Sequence, residues 1–214
     1  MAAILHLNDP MAAPRALRFV FVSSNADWGG SEELWSAAAA TLVAEGQRVA
    51  IYKGGSRDAE PHLRGLRELG CSVYDLKQLL PFPRGLGWRL TWSRTLGHAL
   101  PLLRLSLGLT LSRRPDLVVI SQGGNHDGVF LAELCRRRNL PFVLISHKAS
   151  ALYWPTDFRR DLMRRVFGGA RACYFVSEHN RRLTEEQIGM SLAHASIVRN
   201  PFLVPWEVRE DWPH

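Results

Sequence analysis

The segment Gly29-Gly30-Ser31-Glu32 has residue types and spacing that could support chemistry. It follows a hydrophobic run that ends in small polar residues, and it precedes a helix-like segment. Two glycines there would let a ligand approach the backbone, and free N–H groups at the helix N-terminus could hold an anion. The structural alternative is a turn with positive φ and Ser31 as the N-cap. Glu32 and Glu33 suit the helix dipole but would repel an anion.

Polar residues also follow three later hydrophobic runs. His126 lies after the fourth run, His147 after the fifth, and Ser177-Glu178 after the sixth. If the runs are parallel strands, their carboxyl ends share the edge of the sheet where ligands bind. His126 and His147 could then act as acid, base or hydrogen-bond donor near neutral pH.

Several common site motifs are missing from the sequence. The glycine spacing is not G-x-G-x-x-G, which makes a dinucleotide site a weak interpretation, and it is not G-x-x-x-x-G-K-[ST], which excludes a P-loop. No G-x-S-x-G elbow occurs. The histidines lack H-E-x-x-H or comparable spacing, so no metal site is predicted.

Apolar runs alternate with helix-like segments about seven times, and these elements must position the polar residues. The predicted strands are Leu17–Ser23, Arg48–Tyr52, Cys71–Asp75, Asp116–Ser121, Pro141–Ser146, Ala172–Ser177 and Ser196–Val198. The predicted helices are Glu32–Glu45, Ala59–Leu69, Gly128–Arg138, Asp157–Phe167 and Glu178–Ile188. Continuous apolar strands indicate a parallel sheet that is covered on both faces. The predicted fold class is α/β, with a doubly wound, mainly parallel Rossmann-like sheet of about seven strands.

Composition limits the class of partner without naming it. The chain has 214 residues and a net charge of +7, which favours nucleic acid, phosphorylated small molecules or a membrane surface. Cys71, Cys135 and Cys173 are widely spaced and are predicted to be buried reduced thiols, as in a cytoplasmic protein. No apolar run is long enough to span a bilayer, and no signal peptide is evident.

The segment Arg84–Arg114 carries six arginines and no acidic residue, with Trp and Leu at helical spacing. One interpretation is a core-facing stripe with a solvated basic face. The other is an interfacial helix at an anionic membrane, with Trp88, Arg89, Trp92 and Arg94 as the membrane-interaction residues. Nucleic-acid binding is the weaker alternative, because no helix-turn-helix, zinc or RNP signature accompanies the charge.

Taken together, these residues resemble the N-terminal domain of a GT-B glycosyltransferase, most closely glycosyltransferase family 4. The landmarks of the resemblance are the segments 29–32, 115–119 (PDLVV), 141–147 (PFVLISH), 174–178 (YFVSE) and 197–201 (IVRNP). The resemblance implies two Rossmann-like domains that face each other across a cleft. The N-terminal domain would hold the acceptor, and the C-terminal domain would hold a UDP- or GDP-sugar. Transfer would retain the anomeric configuration and generally need no metal or other cofactor.

The resemblance also implies roles for the residues at the sheet edge. Gly29 and Gly30 would lie against the donor diphosphate or the transferred sugar, and His147 would contact the reacting sugar as the catalytic residue. The other residues implied in donor or acceptor binding are Ser31, Glu32, His126, Ser177 and Glu178. The Arg84–Arg114 segment matches the region where related enzymes dock to lipid bilayers. The implied partners are a nucleotide-sugar donor, a glycan or lipid acceptor, and an anionic membrane surface.

The expected organisation is a flexible tail at residues 1–16, an acceptor-side domain at 17–201 and a linker at 202–214. The C-terminal domain of the family, with its paired-glutamate E-x7-E region, is expected to be absent from these 214 residues. The chain is therefore expected to hold half a site and to be inactive without a donor-binding domain or partner chain. The alternative is a non-catalytic module that binds an anionic sugar or a membrane surface. The expected location is the cytoplasm, at the inner face of the membrane if the basic segment binds lipid.

Overall fold

The computed structural model describes residues 15–25, 27–54, 59–75 and 114–201. Within these ranges, seven strands alternate with five helices. The strands are β1 (Arg18–Ser23), β2 (Arg48–Lys53), β3 (Ser72–Asp75), β4 (Leu117–Gly124), β5 (Phe142–Lys148), β6 (Cys173–Phe175) and β7 (Ala195–Ile197). The helices are α1 (Gly30–Ala44), α2 (Glu60–Glu68), α3 (Val129–Arg137), α4 (Asp157–Gly169) and α5 (Glu178–Ile188).

The seven strands form one sheet in the order β3-β2-β1-β4-β5-β6-β7. Every neighbouring pair is parallel. The direction of winding reverses between β1 and β4, where a doubly wound sheet opens a crevice at its carboxyl edge. The α/β prediction from the apolar strand pattern is confirmed.

Each face of the sheet buries its own apolar core. Trp35 and Leu63, from α1 and α2, pack with Phe21 and Ile51 on one face. α3 and α4 pack on the other face, where Phe167 contributes to the second cluster with strand residues such as Leu144. Successive side chains of a strand point to opposite faces, which divides each apolar strand between the two clusters. Both faces are therefore covered by helices, as predicted. Cys71, Cys135 and Cys173 are all buried and free, in agreement with the predicted buried thiols.

β4 and β5 each run at least two residues further than the apolar runs predicted. β4 continues to Gly124 and β5 to Lys148. Their polar ends pair with each other, with Gln122 opposite Ser146 and Gly124 opposite Lys148. Backbone pairing does not require apolar side chains, so hydropathy alone underestimates strand length at a polar sheet edge.

Some predictions fall outside the described residues. These are the membrane-interaction residues Trp88, Arg89, Trp92 and Arg94, most of the N-terminal tail and the linker at 202–214. Among the helices that the structure describes, none is long and apolar enough to cross a membrane.

Candidate functional site

The glycine loop, which follows β1 and ends at Gly29-Gly30, leads into an ordinary helix start. Gly29 is the N-cap of α1, and its backbone is extended, with φ −166° and ψ −171°. In the described ranges, the positive-φ glycines lie elsewhere, at Gly46, Gly70, Gly128 and Gly189. The alternative of a positive-φ turn with Ser31 as N-cap is therefore wrong. Ser31 lies inside the first turn of α1, and its hydroxyl donates to Glu32 Oε2.

The fold leaves space for a side chain at both glycines. A Cβ atom on Gly29 would lie 3.8 Å from Glu32 Oε2, and one on Gly30 would lie 3.4 Å from Asn200 Nδ2. Both residues are exposed. Neither positive φ nor crowding requires glycine at these two positions. Their missing side chains leave bare backbone at the carboxyl edge of the sheet, beside the point where strand order reverses.

A fully buried ion pair supports this loop from the inside. Lys53, at the end of β2, donates to the carbonyls of Asn25 at 2.8 Å and Asp27 at 3.0 Å. Its Nζ lies 3.4 Å from Glu32 Oε1, which also accepts from the Ser23 hydroxyl at 2.9 Å. Lys53 is 0% exposed and Glu32 is 1% exposed. Desolvation lowers the pKa of Lys53, while Glu32 acts to raise it.

The pair changes the electrostatics of the α1 N-terminus. Glu32, which the sequence placed among the acceptor-binding residues, has a buried carboxylate bonded to Lys53 and two hydroxyls. Opposite charges at this distance largely cancel for a ligand outside. The repulsion of anions expected from the sequence is therefore reduced to that of Glu33, whose Oε1 accepts from Trp28 Nε1 at 2.6 Å.

Gly123, at the end of β4, has a packing reason to be glycine. A Cβ atom there would lie 2.3 Å from Asn25 Oδ1, which is far closer than van der Waals contact. The space is used by the Asn25 side chain, whose Nδ2 donates to Ser31 Oγ at 2.9 Å. The Gly123 N–H donates to Ser24 Oγ at 3.1 Å. The ends of β1 and β4 are thus locked together under the glycine loop.

His147 lies on the same face of the sheet as α1. Its Nε2 is 3.2 Å from Ser121 Oγ, in the middle of β4. Its Nδ1 is buried and has no hydrogen-bond partner among the described residues. Desolvation lowers the pKa of His147 from its ordinary 6.5, against a raising effect of Glu32. The imidazole is therefore neutral at pH 7 and can donate or accept a hydrogen bond.

Ser177 and Glu178 start α5 at the same edge. Ser177 is the N-cap, and its hydroxyl accepts from the Asn180 N–H at 3.1 Å. The Glu178 carboxylate accepts from Arg181 at 2.8 Å and Arg182 at 3.0 Å, and its pKa is lowered mainly by the bond from Arg181. The structure gives both residues local bonds within the first turn of α5.

His126 belongs to a different part of the edge. Its ring stacks on Tyr153, with centroids 4.0 Å apart, and its Nε2 is 3.6 Å from Asp127 Oδ1. α5 holds Tyr153 in place, because the Gln187 side chain of α5 donates to the Tyr153 carbonyl at 2.5 Å. The predicted site residues therefore divide into two groups, one beside α1 with His147 and one on the opposite face with His126.

Two residues of structural importance were not among the predicted site residues. Lys53 anchors the glycine loop, as described above. Asn180 joins α5 to β5, because its Nδ2 donates to the His147 carbonyl at 3.0 Å and its Oδ1 accepts from the Ala149 N–H at 3.2 Å. The sequence feature that could have identified Asn180 is its position three residues after Ser177, the N-cap of α5. Among the residues that the structure describes, no group of three or more His, Cys, Asp or Glu side chains could hold a metal ion.

Comparison with known proteins identifies relatives of this arrangement. Residues 29–201 match the family described as glycosyl transferase 4-like domain. The matched range contains Gly29 and Gly30, His126, His147 and the start of α5. No curated protein matches the sequence significantly.

Solved structures share the fold at low sequence identity. Anabaena Alr3699/HepE, crystallised with UDP and glucose, superposes with a TM-score of 0.60 at 14% identity over 87% of this chain and 45% of that chain. A glycosyltransferase from Rickettsia africae gives a TM-score of 0.57 at 10% identity over 86% and 43%. The chain thus spans less than half the length of these two proteins.

Proposed function

Because the chain belongs to the glycosyl transferase 4-like family, we propose that it is the acceptor-side half of a retaining glycosyltransferase. It would move a sugar from a nucleotide-sugar donor of UDP or GDP type to a glycan or lipid acceptor. A donor-binding domain, in the same polypeptide or in a partner chain, would complete the site. HepE, which this chain resembles in fold, was crystallised with UDP-glucose.

The observation that carries this proposal is the bare backbone of Gly29 and Gly30. Both glycines are exposed, both lack positive φ, and both have room for a Cβ atom. Neither positive φ nor crowding creates a need for glycine at either position. A donor diphosphate or transferred sugar that approaches the backbone across a cleft supplies that need.

The surrounding residues suit this role. The first N–H groups of α1 lie at the carboxyl edge and can donate to diphosphate oxygens. The buried Lys53–Glu32 pair holds the loop carbonyls in place, which fixes the loop before the substrate arrives. His147 is half-buried and neutral at pH 7, so it can hydrogen-bond a hydroxyl of the reacting sugar without placing a second cation beside the developing positive charge at the anomeric carbon.

Replacing His147 by alanine is expected to lower kcat/KM of the completed transferase about 100-fold, because a hydrogen bond tightened in the transition state is lost. His147→Gln is expected to recover part of that loss. In the unmodified enzyme, kcat/KM should fall only below pH 6.5, since burial lowers the pKa at which the imidazole becomes charged. In His147→Gln this acid-side decrease should disappear. The measurement is transfer of a labelled sugar from a nucleotide sugar over a range of pH.

His179→Ala is the matched control, because His179 is exposed on α5 and lies near the same edge. It should leave kcat/KM unchanged. An unaltered kcat/KM in His147→Ala would remove His147 from the proposed mechanism, whereas equal losses in both variants would show that the effect is not specific.

A further inference from the structure

A pocket separate from the glycine loop opens where the loop after β4 meets the loop after β5. Its volume is about 250 Å³, and its lining includes His126, Asp127, Lys148, Ser150 and Tyr153. Typical small-molecule pockets begin at roughly 300 Å³. A space of this size suits one ring-sized group and not an extended ligand.

Three buried amide side chains hold the residues that line this pocket. Gln122, Asn125 and Gln187 are each no more than 1% exposed. Asn125 Nδ2 donates to Gln187 Oε1 at 2.7 Å, and Gln187 Nε2 donates to the carbonyls of Ser150 at 2.8 Å and Tyr153 at 2.5 Å. Burying amides is costly unless each bond is made, and a satisfied network fixes one geometry.

Gln122 and the backbone of Asn125 hold the residues on the other side of the pocket. Gln122 Nε2 donates to the Asp127 carbonyl, and its Oε1 accepts from the Ser146 hydroxyl at 2.5 Å. The Asn125 N–H donates to the Lys148 carbonyl at 2.8 Å. Both loops are therefore ordered before any ligand binds, which lowers the entropic cost of binding.

The chemistry of the lining indicates the class of ligand. The rings of His126 and Tyr153, which both line the pocket, stack on each other, and an outer ring face that the partner ring does not cover attracts polarised C–H groups. Around it stand a carboxylate (Asp127), an ammonium (Lys148) and a hydroxyl (Ser150), which supply both donors and acceptors. A pyranose has this combination of an apolar C–H face and hydroxyls that donate and accept. A ligand that is only an anion would meet the carboxylate of Asp127, which is 39% exposed in its side chain.

The pocket lining includes the residue next to His147, which we propose contacts the reacting sugar. Lys148 directly follows His147, and neighbouring Cα atoms are about 3.8 Å apart. Successive strand side chains alternate, so His147 points to the α1 face and Lys148 to the opposite face. We propose that this pocket binds a pyranose unit of the acceptor next to the unit that receives the sugar, so that the acceptor is a saccharide chain of at least two units. This inference rests on the proposed function for its biological meaning, but binding itself can be tested without transfer.

The test is saturation-transfer NMR on the 214-residue chain with methyl pyranosides of the gluco, galacto, manno, N-acetylgluco, rhamno and xylo series. At least one is expected to bind at millimolar concentration, and Tyr153→Ala should weaken that binding at least tenfold. Lys148→Ala, which changes an exposed side chain, is the second variant and should weaken it severalfold. Leu152→Ala is the matched control, because Leu152 is 99% exposed on the same loop and is not part of the lining.

The proposal is overturned if no pyranoside binds, or if binding survives in both Tyr153→Ala and Lys148→Ala. It is also overturned if inorganic phosphate binds the pocket and no pyranoside displaces it. Pyranoside binding without sugar transfer by the completed protein would uphold the pocket and refute the proposed function. If the completed protein transfers sugar and the acceptor KM is unchanged in Tyr153→Ala, the proposed function is upheld and the pocket proposal is refuted.

Discussion

Replacing Lys53 by methionine is expected to lower the free energy of unfolding by roughly 3–5 kcal/mol, which is the typical cost of breaking a buried ion pair. The ammonium bonds two loop carbonyls and the Glu32 carboxylate, and both charged side chains are almost fully buried. Methionine fills similar space, so the loss would come from an uncompensated carboxylate and two carbonyls without donors. Urea-induced unfolding of both proteins measures the difference.

The double variant Lys53→Met/Glu32→Leu separates charge from packing. Removing both charges is expected to recover at least half of the lost stability, because a buried ion pair can often be replaced by apolar side chains at little cost. Lys148→Met is the control for an exposed lysine and should change stability by less than about 0.5 kcal/mol. Equal stability of Lys53→Met and the original chain would contradict the buried pair as the anchor of the loop.

Replacing Gly30 by tryptophan is expected to lower kcat/KM of the completed transferase at least 100-fold, or about 2.7 kcal/mol in transition-state stabilisation. A large side chain would fill the space beside the Gly30 backbone, where we propose that the donor approaches. Gly30→Ala should retain activity within a few-fold, since its Cβ atom meets Asn200 only at 3.4 Å. Both variants should unfold near the urea concentration of the original protein, because φ at Gly30 is not positive.

Gly65→Trp is the matched control for the size of the substitution. Gly65 lies in α2, and a Cβ atom there has nothing within 4 Å. Full activity in Gly65→Trp together with loss in Gly30→Trp would assign the effect to the glycine loop. Normal kcat/KM in Gly30→Trp would contradict ligand approach at this backbone and leave the two glycines without a role in transfer.

The fold followed from the sequence because its determinants are local and strongly patterned. Continuous apolar runs marked the strands, and capping and composition marked the helices, so that α5 was predicted with its observed bounds of Glu178–Ile188. The start of α1 was placed two residues late, at Glu32 instead of Gly30. Glycine is a poor helix former, and propensity alone gives no reason to include Gly30 and Ser31 in the helix.

The site was less predictable because it depends on pairs that are distant in sequence. Lys53 precedes Gly54 at the end of a strand and reads as an exposed lysine, and nothing local pairs it with Glu32, 21 residues earlier. The separation of His126 from His147 likewise needs the strand register. Once Gln122 is placed opposite Ser146, alternation assigns His147 and Lys148 to opposite faces. Without that register, the sequence predicts one polar edge, whereas the structure separates the polar residues into two groups on opposite faces of the sheet.

The most direct test of glycosyl transfer is to compare the 214-residue chain alone with the same chain completed by its donor-binding domain. Each would be incubated with labelled UDP- and GDP-hexoses and a lipid and glycan extract of the cells that produce the protein. We expect the completed transferase to move label into an acceptor and the chain alone to reach less than about 1% of that rate, because under our proposal a second domain holds the donor. No transfer by the completed protein, or comparable transfer by the chain alone, would contradict its assignment as the acceptor-side half of a glycosyltransferase.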